Sequence, residues 1–310
     1  MENHIYKAGK KTAKNNVIGA LLASPPLIGL LLFTAVPLVF SLLLSFSGLK
    51  GFDVSDMRFL PAGELFANYK TVLAHGLFWK SLLNTLYAAA ALPLSIVLAL
   101  LLAQLLNQKL RGKKIFRTLY FIPFVCSIIA LTQMWRMLLN TQYGILNEFF
   151  GAFGIAKINW LGDSKYFMPS MIVMGVWQTI GFNFILLSAA LTNVNPGYGE
   201  AAKVDGAGAW TRFWRITLPA LTPTLFYLLV MGLIASLQEF TRFQAINQTV
   251  PGGPDNAGLT VVYYMYRMSF EQNITYGMGP ANAAAWLLTA VVMLITFLNF
   301  RLSKKWVSYD

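Results

Sequence analysis

Acidic and basic side chains mix between Asn195 and Leu225, in NPGYGEAAKVDGAGAWTRFWRITLPALTPTL, which carries Glu200, Lys203, Asp205, Arg212 and Arg215. Acids and bases at such spacing could exchange protons or form ion pairs, but nothing around them turns them to catalysis. The chain contains no G-x-x-x-x-G-K-[ST] to cradle nucleotide phosphates, no H-E-x-x-H and no G-x-S-x-G. The single cysteine, Cys126, lies in an apolar run and can form neither an intrachain disulfide nor a multi-cysteine metal site. His4 and His75 are isolated. No catalytic residue, metal ligand set or bound cofactor is therefore expected. The polar stretch sits between two of the longest apolar segments, and its charges make sense only at a membrane face.

The composition sets that face in context. Of 310 residues, 56% are hydrophobic and 12% charged, with a mean hydropathy of +0.57; soluble domains carry roughly 25% charged residues. The net charge of +12 could mark a nucleic-acid binder, but that needs basic residues gathered on one face with aromatics for stacking. Here they fall in short clusters between long charge-free runs, so no nucleic-acid partner is expected. The basic start (Lys7, Lys10, Lys11, Lys14) precedes a stretch from Asn15 to Leu49 without Asp, Glu, Lys or Arg. That is too long for a signal h-region of about 7–15 residues, so it reads as an uncleaved membrane helix.

A spanning helix needs about 20 mostly apolar residues. Six stretches qualify: Val17–Phe46, with Pro25, Pro26 and Pro37 expected to bend it; Leu82–Leu106; Thr118–Met137; Phe167–Thr192; Leu218–Ala245; and Ala281–Phe300. No strand alternation occurs, so the expected class is all-α, a polytopic membrane protein with six transmembrane helices. The organisation predicted is a tail over 1–16, a first span and outer loop over 17–80, a five-helix core over 81–302 carrying the loop 195–220, and a tail over 303–310.

Orientation follows from Lys and Arg, which accumulate in cytoplasmic loops. With six spans, both termini and the loops after spans two and four share a side, which collects 15 of the 24 basic residues but only Glu2, Glu200, Asp205 and Asp310 of the 12 acids. Both termini and the 195–220 loop are thus expected in the cytoplasm. The outer side receives Ser47–Ser81, Leu138–Tyr166 and Ile246–Pro280; within the middle one, ILNEFFGAFGI is apolar, too short to span, and suited to an interfacial helix.

Within the loop, Asn195 can cap a helix with Pro196 at its first position. Gly199–Val204 then forms a short helix with Ala201 and Ala202 as small contact residues, and Gly206 and Gly208 interrupt it. Trp210, Phe213 and Trp214 recur at i, i+3, i+4 and share a face of a second short helix. Exposed aromatics there offer area for a partner protein to bury; anchoring at the lipid interface accounts for the tryptophans equally well.

The order Glu200-Ala201-Ala202, three residues, Gly206, nine residues, then Ile216-x-Leu218-Pro219 resembles the EAA motif of ABC-importer permeases. The Asp205-Gly206-Ala207 that follows looks like the carbohydrate branch of that family. LLNTLYAAAALPLSIVLALLLAQLLN, FRTLYFIPFVCS, the GGP turn with YYMYRMSF, and YGMGPANAAAWLL are similar to family segments in the same order. Gly199 departs from the bulkier residue usual before the acid. The resemblance implies a type I importer permease fold. Its EAA loop would form coupling helices on a cytoplasmic ATPase, with Glu200, Ala201, Ala202, Asp205, Gly206, Trp210, Phe213, Trp214, Ile216, Leu218 and Pro219 at the contact. It also implies a second homologous permease, two ATP-binding subunits that hold the ATP and Mg, an extracytoplasmic sugar-binding protein, surrounding membrane lipid, and a bacterial cytoplasmic (inner) membrane location.

Polar side chains inside spans usually face the bundle interior or a water-filled path. Trp177, Gln178, Thr179, Phe182 and Asn183 in the fourth span and Ser236, Gln238, Glu239, Phe240 and Arg242 in the fifth are candidates to line a sugar pathway, combining hydrogen-bonding groups with aromatic faces. Hydrogen bonding between helices uses the same residues, and Glu239 with Arg242 at i, i+3 can pair with each other. An ATPase-independent secondary transporter or channel is the alternative function; such proteins often carry inverted repeats, and no internal repeat is evident. With Cys126 replaced by alanine, a cysteine at Ala207 should react with a membrane-impermeant thiol reagent only in inside-out vesicles, and one at Ala152 only in intact cells. The opposite pattern would reverse the topology.

Overall fold

The computed structural model describes residues 11–308 except 52, 54, 56, 107–111, 248–249 and 272–276. Lys7, Lys10, Lys109 and Arg111 of the topology signal, with Glu2 and Asp310, therefore lie outside the described residues, as does part of the expected tails. Helices dominate, and the β pairing among the described residues is one isolated bridge between Ser47 and Phe59.

The first span, Ile18–Ser45, comprises α1 (Lys11–Leu30), a π turn (Leu31–Ala35) and α2 (Val36–Ser45). Pro25 and Pro26 stay inside α1, while the irregular turn falls just before Pro37. Pro37 has no N–H for the Phe33 carbonyl and its ring crowds that oxygen; widening one turn relieves both without ending the helix. Among the described elements, α15 (Met278–Ser303) backs α2 most extensively, with Ser41 Oγ donating to Asn282 Oδ1 at 2.7 Å.

After α3 (Ala67–Ala74), α4 (Gly76–Ala88) and α5 (Ala91–Leu106) together make the second span, Gly76–Leu106. The third is not the straight helix expected over Thr118–Met137. It is a pair, α6 (Lys113–Val125) and α7 (Ile128–Leu138), bent by 101°. Pro123 weakens the end of α6, Cys126 is extended, and Ser127 restarts the helix. A short α8 (Ile145–Gly151) follows in ILNEFFGAFGI. The fourth span is α9 (Ser164–Asn193), capped by Asp163, whose carboxylate accepts from Lys165 N.

The fifth span also differs from Leu218–Ala245. Its helix α12 (Leu218–Leu237) stops before Gln238, and α13 (Thr241–Ile246) begins anew. The break is held chemically: Glu239 Oε1 accepts from Arg242 N at 3.4 Å, and the Glu239 carbonyl accepts from Thr260 Oγ1 at 3.0 Å. A further helix, α14 (Val261–Phe270), leads towards α15, the last span.

Helix α9 is the centre of the bundle and packs most extensively on α5 and α6. Asn183 donates to Ser95 Oγ across the α9–α5 contact at 2.7 Å, and Gly181 lies directly on the Tyr120 carbonyl of α6. Two apolar clusters result: one from α5, α9 and α12 (Leu92, Ile96, Phe184, Leu187, Leu221, Leu228), and one at the other end of α9 (Phe167, Met171, Phe243, Tyr263, Tyr264). Outside, Leu22, Phe33, Leu83, Met137, Val173 and Met293 are each more than half exposed. Such a girdle is stable when its solvent is lipid.

A side chain at Gly181 would meet backbone, not a movable side chain, so Gly181→Val should force α6 off α9. The expected loss is about 1–3 kcal/mol, read as a lower unfolding temperature in detergent; Val173→Leu, on the exposed surface, should change it little.

Candidate functional site

The 195–220 loop folds as one short helix and the first turns of the fifth span, at one end of α9. Asn195 Oδ1 accepts from Gly197 N at 2.9 Å and Pro196 takes the first position of α10 (Pro196–Val204), so this helix starts earlier than Gly199. It closes with two reverse bonds, Gly206 N to the Lys203 carbonyl at 3.0 Å and Ala207 N to the Ala202 carbonyl at 2.8 Å. That is a Schellman termination, and it requires the left-handed φ of +79° at Gly206. A Cβ on Gly206 would touch nothing within 4 Å. The glycine is thus demanded by backbone conformation, not by space.

Helix α11 (Ala209–Arg212) does not end where a separate short helix was expected. It passes through a π turn, Phe213–Thr217, into α12, making one span from Ala209 to Leu237. The π turn precedes Pro219 as the first precedes Pro37, for the same reason. Trp210, Phe213 and Trp214 form a ring cluster, with centroids 5.6 Å apart for the two tryptophans and 5.5 Å for Phe213–Trp214. Trp210 remains 73% exposed and Trp214 50%, an unusual amount of aromatic surface to leave uncovered.

Two recesses flank α10. One of about 500 Å³ is lined by Glu200, Lys203, Arg212, Phe213 and Ile216. The other, of about 420 Å³, is lined by Ala201, Ala202, Asp205, Ile216, Pro219 and Ser308. Ser308 is brought there by its N–H, which donates to Thr222 Oγ1 at 2.9 Å. The structure therefore gathers Glu200, Ala201, Ala202, Asp205, Gly206, Trp210, Phe213, Trp214, Ile216, Leu218 and Pro219 into one element, with the acid and the tryptophans outward and Ile216, Leu218 and Pro219 half-buried.

A cavity of about 370 Å³ lies between α5, α6, α9 and α12. Gly175, Gln178, Thr179, Phe182 and Asn183 line it from α9, a stripe at i, i+3, i+4, i+7, i+8. Ser236 lines it from the end of α12 and Glu239 from the break just after it. Phe182 stacks on Phe124 of α6 with centroids 4.7 Å apart and planes at 19°. Arg242 is buried at the same site, its Nη2 3.4 Å from Glu239 Oε2 and its guanidinium against Gly175. Its Nε has no hydrogen-bond partner.

Three candidate pathway residues do not share this cavity. Trp177 falls off the α9 stripe, packs edge-on against Trp135 at 5.7 Å and lines a separate apolar recess with Leu94, Leu98 and Val173. Gln238 is exposed beyond the end of α12. Phe240 packs on Tyr263 and Tyr266 at 5.7 and 5.0 Å. The last two corrections have one cause: α12 ends at Leu237, so helical periodicity no longer relates 238–240 to Ser236. Asn183 reaches the cavity wall while its amide nitrogen is bonded to Ser95. Phe124 and Tyr227 were missing from the candidates. A proline beside Phe124 is itself a signal; Tyr227 carried none.

A continuous helix joins an exposed polar loop to a membrane cavity, and residues 91–308 match the family described as binding-protein-dependent transport system inner membrane component. The chain belongs to that family. This inner membrane component is 34% identical to the probable ABC transporter permease protein YesP of Bacillus subtilis (strain 168), over 98% of this chain and 96% of the relative. It is 30% identical to the lactose transport system permease protein LacF of Rhizobium radiobacter, over 92% of this chain and 93% of that one. Its fold matches the crystal structure of a bacterial alginate ABC transporter in complex with an alginate pentasaccharide-bound periplasmic protein. There the TM-score is 0.79 at 24% identity, covering 95% of this chain and 96% of that one. It is thus an all-α, multi-pass membrane protein and an ABC transporter permease, in accord with the resemblance drawn from the EAA segment.

Gly206→Ala in this permease should cost about 1–2 kcal/mol locally, the penalty for a Cβ in the left-handed region, while Gly206→Asn should cost less. Hydrogen exchange at the Ala207 amide should rise by roughly 5- to 30-fold in the alanine variant; an unchanged rate would show that the termination does not depend on that φ.

Proposed function

We propose that this permease is one of two homologous membrane subunits of an ATP-driven, binding-protein-dependent importer of sugars or oligosaccharides. It resides in the bacterial cytoplasmic membrane with both termini in the cytoplasm. The observation that carries this reading is the uninterrupted helix from the aromatic cluster to the cavity wall. Its 29 residues make a lever of about 42 Å, with Trp210 and Trp214 at one end and Ser236 at the other, next to Glu239 in the break that follows. A push on the loop is delivered to the cavity because no flexible joint intervenes.

In this reading Trp210, Phe213 and Trp214 are the apolar anchors buried by a cytoplasmic ATP-binding subunit, and the exposed carboxylate of Glu200 pairs at the rim. The short α10, fixed at both ends by Asn195 and Gly206, is the rigid knob. Two such ATPase subunits hold the ATP and Mg, and this chain performs no catalysis. Closure of the ATPases draws the loops of the two permeases together and opens the cavity towards the side where a sugar-binding protein delivers cargo. Phe124 and Phe182 present a stacked face to sugar C–H groups, and Gln178, Ser236 and Glu239 present hydrogen-bonding groups. The name of LacF, a lactose permease, and the saccharide in the matched complex support a saccharide cargo.

Trp210→Ala combined with Trp214→Ala should lower binding-protein-stimulated ATP hydrolysis of the reconstituted complex about 30-fold or more, the loss expected for interface anchors worth about 2 kcal/mol or more together. Gln178→Ala should lower uptake while leaving ATPase docking intact. Uptake that persists without any ATPase, driven by an ion gradient, would overturn the reading in favour of a secondary transporter.

A further inference from the structure

The chain after α15 folds back onto the fifth span. Lys305 N donates to the Leu302 carbonyl at 3.0 Å, and Trp306 N and Val307 N donate to the Ser303 carbonyl at 3.1 and 2.9 Å, which turns the backbone. Trp306 then packs edge-on against Phe226 of α12 with centroids 6.2 Å apart, and Phe226 meets Phe300 of α15 at 5.1 Å. One helical turn before Phe226, the side chain of Thr222 is buried, and its Oγ1 accepts from Ser308 N at 2.9 Å. Thr222, Phe226, Phe300 and Trp306 line neither the recesses beside α10 nor the membrane cavity.

A proline fixes the direction of the Thr222–Ser308 bond. In a regular helix the N–H of residue 223 covers the carbonyl of residue 219. Pro223 has no N–H, yet α12 continues through it, so the Pro219 carbonyl needs another partner where the span enters lipid. Thr222 Oγ1 donates to that carbonyl at 2.7 Å. A hydroxyl has one proton to give. With it committed to Pro219, the oxygen only accepts, and its 3.5 Å approach to the Ser308 carbonyl is a neighbour contact rather than a second donation. One threonine thus closes the helix across its proline and fastens to it a segment 86 positions away.

The place of this fastening matters mechanically. Thr222 lies about 20 Å from Ala209 along the Ala209–Leu237 span of about 42 Å, close to its middle. A rigid rod held at one end swings as a whole; held at its middle, it turns and its two ends move in opposite directions. We propose that Thr222, fastened by Ser308 and backed by Phe226, Phe300 and Trp306, is the pivot of the fifth span and so a positioning residue in coupling. Drawing Trp210 and Trp214 towards the second permease then carries Ser236 away from it, which opens the cavity at the far end. The assignment rests on the importer reading and adds to it the point about which the lever turns.

The test uses the complete reconstituted complex with Cys126 replaced by alanine and a cysteine at Gln178 in the cavity. The rate at which that cysteine reacts with an impermeant thiol reagent added outside reports cavity opening, and AMP-PNP with Mg should raise it. Thr222→Val removes both donor and acceptor, and Ser308→Pro removes only the N–H that Thr222 accepts. Each should shrink the nucleotide-dependent rise about 3- to 10-fold, the worth of one hydrogen bond, with the ATPase subunits still copurifying. Thr222→Ser, which keeps the hydroxyl, and Ser308→Ala, which keeps the N–H, should retain the rise. A rise that survives Ser308→Pro overturns the pivot even if Thr222→Val abolishes it, because the threonine then serves only the Pro219 carbonyl. Equal loss in Ser308→Ala and Ser308→Pro also overturns it. So does loss of ATPase copurification in Ser308→Pro, which would make the segment a docking contact. No nucleotide-dependent rise in the complex with Thr222 and Ser308 unaltered sinks the importer reading and the pivot with it, whereas a rise indifferent to both variants sinks the pivot alone.

Discussion

Lipid offers no hydrogen-bond partner, so every interruption of a spanning helix has to be covered by protein or face a water-filled space. That constraint decides where this molecule can be irregular. Its two sharp breaks, between α6 and α7 at Cys126–Ser127 and between α12 and α13 at Gln238–Phe240, both lie near the membrane cavity. Phe124 just before the first and Glu239 within the second line the same space. Elsewhere the helix continues across its prolines, with a widened turn before Pro37 and Pro219 and without one at Pro25, Pro26, Pro169 and Pro223. The irregular backbone is confined to where polar side chains can satisfy it.

The same constraint explains the α12 break in detail. Glu239 takes the N–H of Arg242, pairs with its guanidinium, and lends its carbonyl to Thr260, so one residue covers several groups that the broken helix leaves unpaired. Removing one partner of a buried ion pair costs far more than the pair contributes, so Glu239 and Arg242 constrain one another. Continuity from Ala209 to Leu237 then ties this satisfied, polar end to an aromatic, exposed end. Docking at one and cavity shape at the other become two ends of one rigid object.

The six apolar stretches were legible because length and hydropathy follow directly from bilayer thickness. The loop was legible too: the Asn195 cap and the Gly206 break depend on bonds within a few residues, and the ring cluster of Trp210, Phe213 and Trp214 follows from helical spacing. What misled was treating apolar runs as straight helices. Pro123 and the polar SLQEFTR segment marked the breaks, but an apolar run across a proline can widen, as at Pro37, or snap, as at Cys126, and local composition does not distinguish the two. The difference is set by whether neighbouring helices leave room and partners. Gln238 and Phe240 fall past the end of α12, and Trp177 lies off the cavity-facing stripe of the unbroken α9, so all three point elsewhere.

By itself, then, the sequence determined the solvent, the apolar stretches long enough to cross a membrane, and the Asn195 cap and Gly206 termination of the 195–220 element, because each depends on transfer free energy or on bonds between near neighbours. Only the tertiary structure decided which polar residues face one another. Phe124 meets Phe182, and Arg242 reaches Gly175. Those juxtapositions arise from the close packing of α9 against α5 and α6 and from where two helices stop, and no residue's nearest neighbours in sequence carry that information.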